Sequence, residues 1–314
     1  MKIKFWGVRG SIPSPVTPQE YRSKLTAIIQ RIQPDDLLSQ DSRELFIAAL
    51  PEYLSSAIGG NTTCIQVTGS AGDSLIIDAG SGIRELAHHL DITGLASGIF
   101  HILLSHFHWD HIQGLPFFAP YLYQDGSRFH FYHTDPKFPE YLRTLMKTPF
   151  FPTPLPESGS RLQYHILPES SVRIGPFMVT HRAMKHPGGC IAYRIEENGK
   201  AFIFSTDTEL VETDFNRTED NIAFFQKCDL LIMDSQYTLN EAIEKFNWGH
   251  SSYSLAVEFA AAWEVPRLAL FHHDPLNSDK KLYSMVKSAR EYSRRSKSSL
   301  REIFSAREGL EVII

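Results

Sequence analysis

The sequence places four side chains that can bind metal ions within six residues. They belong to the string H-F-H-W-D-H at residues 106–111, which follows the apolar run Ile99–Leu104. The four ligand-type residues are His106, His108, Asp110 and His111. Neutral imidazole and carboxylate suit zinc, iron or manganese, and a loop at a strand end can aim alternate side chains at two neighbouring ions. Burying these groups without partners would cost several kcal/mol, so the string predicts a metal site.

Short apolar segments elsewhere in the chain predict the strands and helices that must position this site. Strands are predicted at 2–8, 63–68, 74–80 (which ends in a turn), 99–104, 129–132, 162–166, 177–181, 191–195, 201–205, 230–233 and 267–271. Helices are predicted at 83–90, 138–147, 221–226, 252–263 and 280–295. This mixture favours one α/β domain over residues 1–314, because no repeat or domain linker divides the chain.

A stretch between the first two predicted strands, residues 13–57, is interpreted as a helical insertion. It contains helical patterns at 18–32 and 42–56, and Pro51 inside the second pattern is expected to end or kink that helix. We expect the insertion to cover a sheet edge. It could act as a helical cap, as a lid, or as the contact of a homodimer.

Composition excludes several other functions. With 31 basic and 36 acidic residues, the net charge of -5 argues against non-specific nucleic-acid binding. The three cysteines are far apart in the sequence, which indicates neither a disulfide framework nor a thiolate zinc site. No apolar stretch could span a membrane, and the N-terminus lacks a secretory pattern, so a cytoplasmic protein is expected. The 14 histidines are about twice ordinary usage, which is consistent with a histidine-rich site.

The histidine string resembles the H-x-H-x-D-H signature of the metallo-β-lactamase superfamily. Further residues resemble the other motifs of that family in the same order: Asp78, His186, Asp207 and His272. The resemblance implies an α/β fold, a four-layer αββα sandwich with two divalent metal ions at one edge of its sheets. One ion would be held by His106, His108 and His186. The other would be held by Asp110, His111 and His272, with Asp207 bridging and Asp78 orienting the ligand loop.

Each of these assignments has a competitor in the sequence. His186 competes with His181, but His186 precedes Pro-Gly-Gly, where a loop can approach a metal ion. His272 competes with His273 and is preferred because it directly follows an apolar strand. A helix N-cap is the alternative role for Asp207, and a simple turn residue is the alternative for Asp78.

A second group of residues resembles one branch of the superfamily. Gly249-His250-Ser251 is similar to the Gly-His-Ser motif of ribonuclease Z and related phosphodiesterases, whose histidine assists phosphodiester cleavage. Asp234 is the expected partner that orients His250. The opening FWGVRGSIPSP, together with GGNTTC, also resembles ribonuclease Z-like phosphodiesterases, including those that act on ribosyl cyclic phosphates. A helix-start histidine beside a serine cap is the alternative reading of His250.

The resemblance implies a metal-dependent hydrolase. The expected reaction is cleavage of a small cyclic or linear phosphodiester by a hydroxide held between two divalent ions, zinc by preference and manganese or iron otherwise. His250, Asp110 and Asp234 are the expected catalytic residues. A transfer-RNA substrate is not expected, because the chain lacks a Gly/Pro-rich basic arm and is acidic overall.

Two other functions are compatible with the same metal core. One is hydrolysis of a thioester, lactone or β-lactam, which would not need His250 or Asp234. The other is a non-hydrolytic diiron redox or sensor protein. The flavodiiron branch has the pattern H-x-E-x-D-H, whereas position 108 here is histidine, and a flavin domain is not expected.

Overall fold

Fourteen strands form two seven-stranded sheets in the computed structural model, which describes residues 1–95, 97–156, 159, 161–296 and 298–314. The strands are β1 (Lys2–Gly7), β2 (Cys64–Thr68), β3 (Ser74–Ile77), β4 (Ile99–Leu103), β5 (Arg128–His133), β6 (Leu162–Ile166), β7 (Val172–Ile174), β8 (Phe177–Met184), β9 (Cys190–Glu197), β10 (Lys200–Ser205), β11 (Leu230–Asp234), β12 (Arg267–Phe271), β13 (Glu302–Ser305) and β14 (Glu311–Ile313). The first sheet has the order β14-β1-β2-β3-β4-β5-β6, and the second has the order β13-β12-β11-β10-β9-β8-β7.

Eleven α-helices accompany the sheets in the described part of the chain. They are α1 (Pro18–Ile29), α2 (Gln40–Ala49), α3 (Glu52–Ser55), α4 (Ile83–Ile92), α5 (Trp109–Ile112), α6 (Ala119–Leu122), α7 (Phe138–Leu145), α8 (Glu219–Phe225), α9 (Leu239–Glu244), α10 (Tyr253–Ala262) and α11 (Asp279–Arg295). Short 3-10 turns lie at Pro34–Leu37, Leu115–Phe118 and Glu212–Phe215.

Three apolar clusters organise these elements into four layers. The central cluster lies between the sheets and includes Phe5 of β1 and Phe202 of β10. The second cluster packs α4 and α7 against the outer face of the first sheet, and the third packs α10 and α11 against the outer face of the second. This helix-sheet-sheet-helix arrangement confirms the predicted αββα sandwich.

The inner strands are buried on both faces, which explains their continuous apolar sequences. In β10, Phe202 and Phe204 face the central cluster, while Ile203 faces the helices. β3 to β6 run parallel to one another, as do β10 to β13. The carboxyl ends of parallel strands meet at one edge of a sheet, where polar loops can form a site.

The segment 13–57 folds into α1, α2 and α3, and Pro51 separates the last two helices as expected. No residue of α1 or α2 is buried, although the structure describes both helices completely. The segment is anchored by Lys24, whose ammonium donates to Asp279 at the start of α11. These helices therefore form a thin outer layer beside α11. Among the described residues, no helix is long and apolar enough to cross a membrane.

Candidate metal centre

The ligand string lies where the chain leaves β4 and enters the short helix α5, so that Asp110 and His111 occupy a helical turn. Asp78, which follows β3, fixes this turn. Its carboxylate accepts hydrogen bonds from the backbone N–H and the hydroxyl of Ser105, both at 2.7 Å. It also accepts from Nδ1 of His111 at 2.7 Å. Because Nδ1 carries the proton, Nε2 of His111 presents its lone pair to the site.

The structure brings the predicted ligand residues together in two adjoining groups. In each group, one ligand atom from every residue lies within 4.8 Å of the others. The first group comprises His106, His108, His186 and Asp207, and the second comprises Asp110, His111, Asp207 and His272. This division matches the two sets that the resemblance implied.

Asp207 belongs to both groups because its two oxygens face different histidines. Oδ1 lies 3.7 Å from Nε2 of His106 and 3.7 Å from Nε2 of His186. Oδ2 lies 3.0 Å from Nε2 of His111 and 3.1 Å from Nε2 of His272. A carboxylate in this position can bridge two cations.

Unpartnered nitrogens show that these residues fit metal ions. Nε2 of His106 and Nε2 of His111 are buried, and neither has a hydrogen-bond partner among the residues that the structure describes. Nδ1 of His186 donates to the carbonyl oxygen of Gly249 at 2.9 Å, which leaves Nε2 of His186 unprotonated, 3.1 Å from Nδ1 of His108. Buried lone pairs that converge without donors are costly unless a cation accepts them. The set of nitrogen and oxygen ligands suits a divalent ion.

Electrostatics keep His106 and Asp207 in the protonation states that metal binding requires. Burial, reinforced by the neighbouring His111, lowers the pKa of His106 well below its usual value, so this imidazole is neutral. Burial opposes ionisation of Asp207, but the surrounding imidazoles, His272 foremost, outweigh it and lower the pKa of this carboxyl well below its usual value. Neutral imidazole and ionised carboxylate are the forms that bind metals. Burial opposes protonation of His111, but the carboxylates around it, Asp207 foremost, outweigh burial and raise the pKa of His111 well above its usual value, so a metal ion there would displace a proton.

Three residues of the site that follow strands have a strained backbone conformation. Asp78, Asp207 and His272 have φ angles of 61°, 45° and 58°, a region that non-glycine residues seldom occupy. Each residue directly follows its strand or lies within two residues of it. Such strain persists only where surrounding contacts impose it, and it is common at functional sites.

The competing histidines lie away from the clusters. A ring nitrogen of His273 lies 2.9 Å from the carbonyl oxygen of Ala306, and His273 belongs to neither ligand group. His181 lies within β8, and its Nε2 is 2.8 Å from the carbonyl oxygen of Pro168. The structure thus brings His272 and His186 to the site. Their roles as ligands stay predictions.

His250 and Asp234 form a pair at the same site. Nδ1 of His250 donates to Oδ2 of Asp234 at 2.7 Å, and Asp234 is fully buried at the end of β11. Burial alone would lower the pKa of His250, but the Asp234 carboxylate outweighs it and raises the pKa to about 9. His250 borders a cavity of about 430 Å³ together with Asp110, Asp207 and His272.

The loop after β1 contributes two residues that the sequence did not single out. The backbone N–H of Ser11 donates to Oδ2 of Asp110 at 2.7 Å, and Ser11 lines the 430 Å³ cavity. Gly10 lies against His272 so closely that a Cβ atom there would be 2.4 Å from Cε1 of the imidazole. The sequence signal was the opening FWGVRGSIPSP, which contains both residues and resembles ribonuclease Z-like phosphodiesterases.

Glu209 is a third residue that sequence reasoning missed. Its carboxylate accepts from the backbone N–H of Gly249 at 3.0 Å and from the ammonium of Lys185. These contacts join the loop of His186 to the loop of His250. No local sequence pattern distinguishes Glu209 from an ordinary acidic residue after a strand.

A comparison with known protein families identifies the superfamily to which this fold belongs. A family model described as a beta-lactamase superfamily domain matches residues 74–273, more than half of the chain. The chain belongs to the metallo-β-lactamase superfamily. Because members of this superfamily are mainly metal-dependent hydrolases, membership supports an enzymatic function. Among curated protein sequences, none matches this chain significantly.

Several solved structures share the superfamily fold over nearly the whole chain. The metallo-β-lactamase fold protein YhfI from Bacillus subtilis is 17% identical, with a TM-score of 0.65 over 99% of this chain and 98% of that one. A diphosphatase from the PhnP family is 16% identical, with a TM-score of 0.62 over 100% and 97% of the two chains. The short form of human tRNase Z (ELAC1) is 17% identical, with a TM-score of 0.62 over 100% and 99%. At these identities the likeness shows the fold alone.

Proposed function

We propose that this protein is a dinuclear metal-dependent hydrolase of a small cyclic or linear phosphodiester. The observation that carries the proposal is the His250–Asp234 pair, which borders the same cavity as Asp110, Asp207 and His272. A thioester hydrolase needs no such histidine, because a thiolate leaves without being protonated, whereas the leaving alkoxide of a phosphodiester gains from a general acid. Names among the similar structures, a diphosphatase and a tRNase Z, also support phosphate chemistry.

The two groups of side chains would each hold one divalent ion. His106, His108 and His186 would hold the first ion, Asp110, His111 and His272 the second, and Asp207 both. A ligand set dominated by imidazole favours zinc, and manganese and iron accept the same ligands. When bound, the ions would supply Lewis acidity and lower the pKa of a coordinated water.

The side chains around the ions would position the substrate and move its protons. Since Nδ1 of His250 is held by Asp234, its Nε2 is free to contact a phosphoryl oxygen or to protonate the leaving oxygen. Ser11 holds Oδ2 of Asp110 through its backbone N–H, which fixes the carboxylate for metal binding or for accepting a proton. Asp78 would keep the ligand turn in place without binding a metal itself.

We also propose a small molecule, not transfer RNA, as the substrate. A polynucleotide requires cationic surface to neutralise its phosphates, and this chain carries a net charge of -5.

We further propose that the protein forms a homodimer through the segment 13–57 and is located in the cytoplasm. Sedimentation of the purified protein would test the dimer.

The decisive experiment compares hydrolysis with metal content. Protein loaded with zinc or manganese should cleave bis(p-nitrophenyl) phosphate. His250→Ala should lower kcat about 100-fold or more while metal content stays unchanged. His181→Ala, which removes an imidazole outside the clusters, is the matched control and should behave as the original protein.

Three results would contradict the proposal in whole or in part. Turnover of thioesters or lactones without phosphodiester turnover would favour the other hydrolase class. Bound iron with an oxygen-sensitive absorption spectrum and no hydrolysis of any ester would favour a redox or sensor protein. Unchanged turnover in His250→Ala would remove this residue from the mechanism.

A further inference from the structure

A second, larger cavity of about 790 Å³ lies beside the metal ligands. It shares Phe107, His108 and Trp109 with the 430 Å³ cavity, and His106 also forms part of its wall. The two spaces therefore meet at the ligand string. A volume of this size is in the range of small-molecule sites. Nothing in the metal chemistry requires so much additional space.

The lining of this cavity is mainly aromatic and aliphatic. Phe107, Tyr141 and Phe150 contribute aromatic rings, and Ile112, Leu145 and Ile191 contribute aliphatic surface. The ring centroid of Phe107 lies 5.0 Å from that of Tyr141 and 4.5 Å from that of His133, in edge-to-face contacts. These rings form a wall against which another planar ring can pack, and such pairs prefer offset or edge-to-face contact.

Charge argues against an anionic occupant. Among the lining residues, all of which the structure describes, there is neither lysine nor arginine. The one carboxylate is Asp135, which accepts hydrogen bonds from the backbone N–H of Lys137 at 2.8 Å and the hydroxyl of Tyr141 at 2.9 Å. Burial lowers the pKa of His133 to about 4, so its ring is neutral at physiological pH. A second phosphate would meet a carboxylate and no cation.

The position of His250 indicates which part of a substrate would enter the 790 Å³ cavity. His250 borders the 430 Å³ cavity but does not line the larger one, whose nearest metal ligands are His106 and His108. If His250 protonates the leaving oxygen, the leaving group lies on its side of the site. The ester group that stays on the phosphate then extends into the larger cavity.

We propose that the 790 Å³ cavity binds an uncharged aromatic group, carried by the ester that the phosphate retains after cleavage. The inference rests on the proposed phosphodiesterase function and specifies its substrate: a single phosphodiester with an aromatic, uncharged group on the retained side. Phe150, 72% exposed on the loop after α7, and Tyr141 within α7 are the specificity-determining residues.

Two phosphodiesters with the same leaving group test this inference. p-Nitrophenyl phenyl phosphate and p-nitrophenyl methyl phosphate both release p-nitrophenolate and differ only in the retained group. We expect kcat/KM to be at least tenfold higher for the phenyl ester. Phe150→Ala should remove most of that preference through KM, with kcat/KM for the methyl ester unchanged. Thr144→Trp, which would fill the cavity from α7, should have the same selective effect.

Ile92→Ala is the matched control, because Ile92 is a 70% exposed apolar side chain on α4. It should leave both substrates unaffected. Equal rates for the two esters in the original protein would overturn the inference. Equal losses for both esters in Phe150→Ala would do the same, because they would indicate general damage to the site.

Binding measurements separate this inference from the proposed function. Calorimetric titration of the metal-loaded protein should give at least tenfold tighter binding of diphenyl phosphate than of dimethyl phosphate, and Phe150→Ala should abolish the difference. If no phosphodiester is cleaved, the proposed function fails, and the titration still decides whether the cavity selects an aromatic group. If esters are cleaved but the two phosphates bind equally, only the cavity proposal fails.

Discussion

Nδ1 of His186 donates a hydrogen bond of 2.9 Å to the carbonyl oxygen of Gly249, the residue directly before His250. The peptide group that follows Gly249 thereby holds the imidazole of a predicted metal ligand and leads into the proposed catalytic histidine. Gly249 has a φ of +90°, and a Cβ atom on it would lie 2.2 Å from Nδ1 of His186. Position 249 therefore requires glycine for both conformation and space.

The first prediction concerns Gly249→Ala. The added methyl group must displace either His186 or the loop, so we expect loss of bound metal from the first group and loss of most hydrolytic activity. Metal analysis and turnover check this. Gly199→Ala is the matched control, because Gly199 also has a positive φ (+75°) but would meet nothing within 4 Å among the described residues. It should cost about 1 kcal/mol of folding free energy through strain, with metal content unchanged.

Asp78→Asn provides the second prediction. An amide cannot accept hydrogen bonds at both positions, so it would lose its contact with Nδ1 of His111 or with Ser105. We expect metal affinity to fall about 10- to 100-fold, because partners that orient ligands typically contribute this much. Competition with a chromogenic chelator measures it. Asp91→Asn, on the exposed side of α4, serves as control, and equal affinity in the two variants would disprove the role of Asp78.

Asp234→Asn should affect catalysis more than metal binding. The amide would no longer stabilise the His250 tautomer that carries a proton on Nδ1. We expect kcat to fall about 10- to 100-fold, with KM and metal content close to those of the original protein. Steady-state kinetics on metal-quantified protein checks this. A loss of metal in proportion to activity would instead assign Asp234 to the metal centre.

A fourth prediction concerns acid stability and involves histidines that belong to neither candidate ligand group. His101 lies on β4, with its ring 4.8 Å from that of His130 on β5. Burial, followed by the charges of His130 and His165, lowers the pKa of His101 to about 4 from 6.5. Between these values the unfolded chain binds a proton that the folded protein does not. The contribution of neutral His101 to the free energy of unfolding is therefore fully present above pH 6.5 and is lost as the pH falls towards 4.

His101→Gln should flatten this pH dependence. Since the side chain is partly exposed, we expect solvent to reduce the difference between pH 7 and pH 4.5 to about 1 kcal/mol. Urea unfolding of metal-free protein at the two pH values measures it, and His88→Gln on the surface of α4 controls for the loss of an imidazole. An identical pH dependence in the original protein and His101→Gln would rule out this contribution.

The sequence predicted most of the sheets because their inner strands bury both faces. β10 and β12 are continuous apolar runs, which stand out without any knowledge of their neighbours. β7, a strand of only three residues, was missed. β13 and β14 were also missed, since each is only three or four residues long and begins with glutamate. Their pairing is also remote: Ile313 of β14 lies opposite Lys2 of β1. Such a contact leaves no local pattern.

The same distinction, between local sequence patterns and contacts of remote segments, explains which residues of the site were predicted. His106 to His111 form a local cluster of ligand types, and the resemblance added His186, Asp207 and His272. Ser11 was missed because it acts through its backbone N–H on a residue 99 positions away. Glu209 was missed because its partner is the backbone of Gly249. The aromatic cavity combines side chains from separate elements, so only the folded chain reveals it.

The predicted metal ligands come from both halves of the sandwich. His106, His108, Asp110 and His111 follow β4 of the first sheet, whereas His186, Asp207 and His272 follow strands of the second. Bound ions would thus act as a removable crosslink between the sheets, and folding would be thermodynamically linked to free metal. At a free metal concentration 100 times the dissociation constant, one such ion adds about 2.7 kcal/mol to stability. A cell that limits its metal supply would then control the lifetime of this protein as well as its activity.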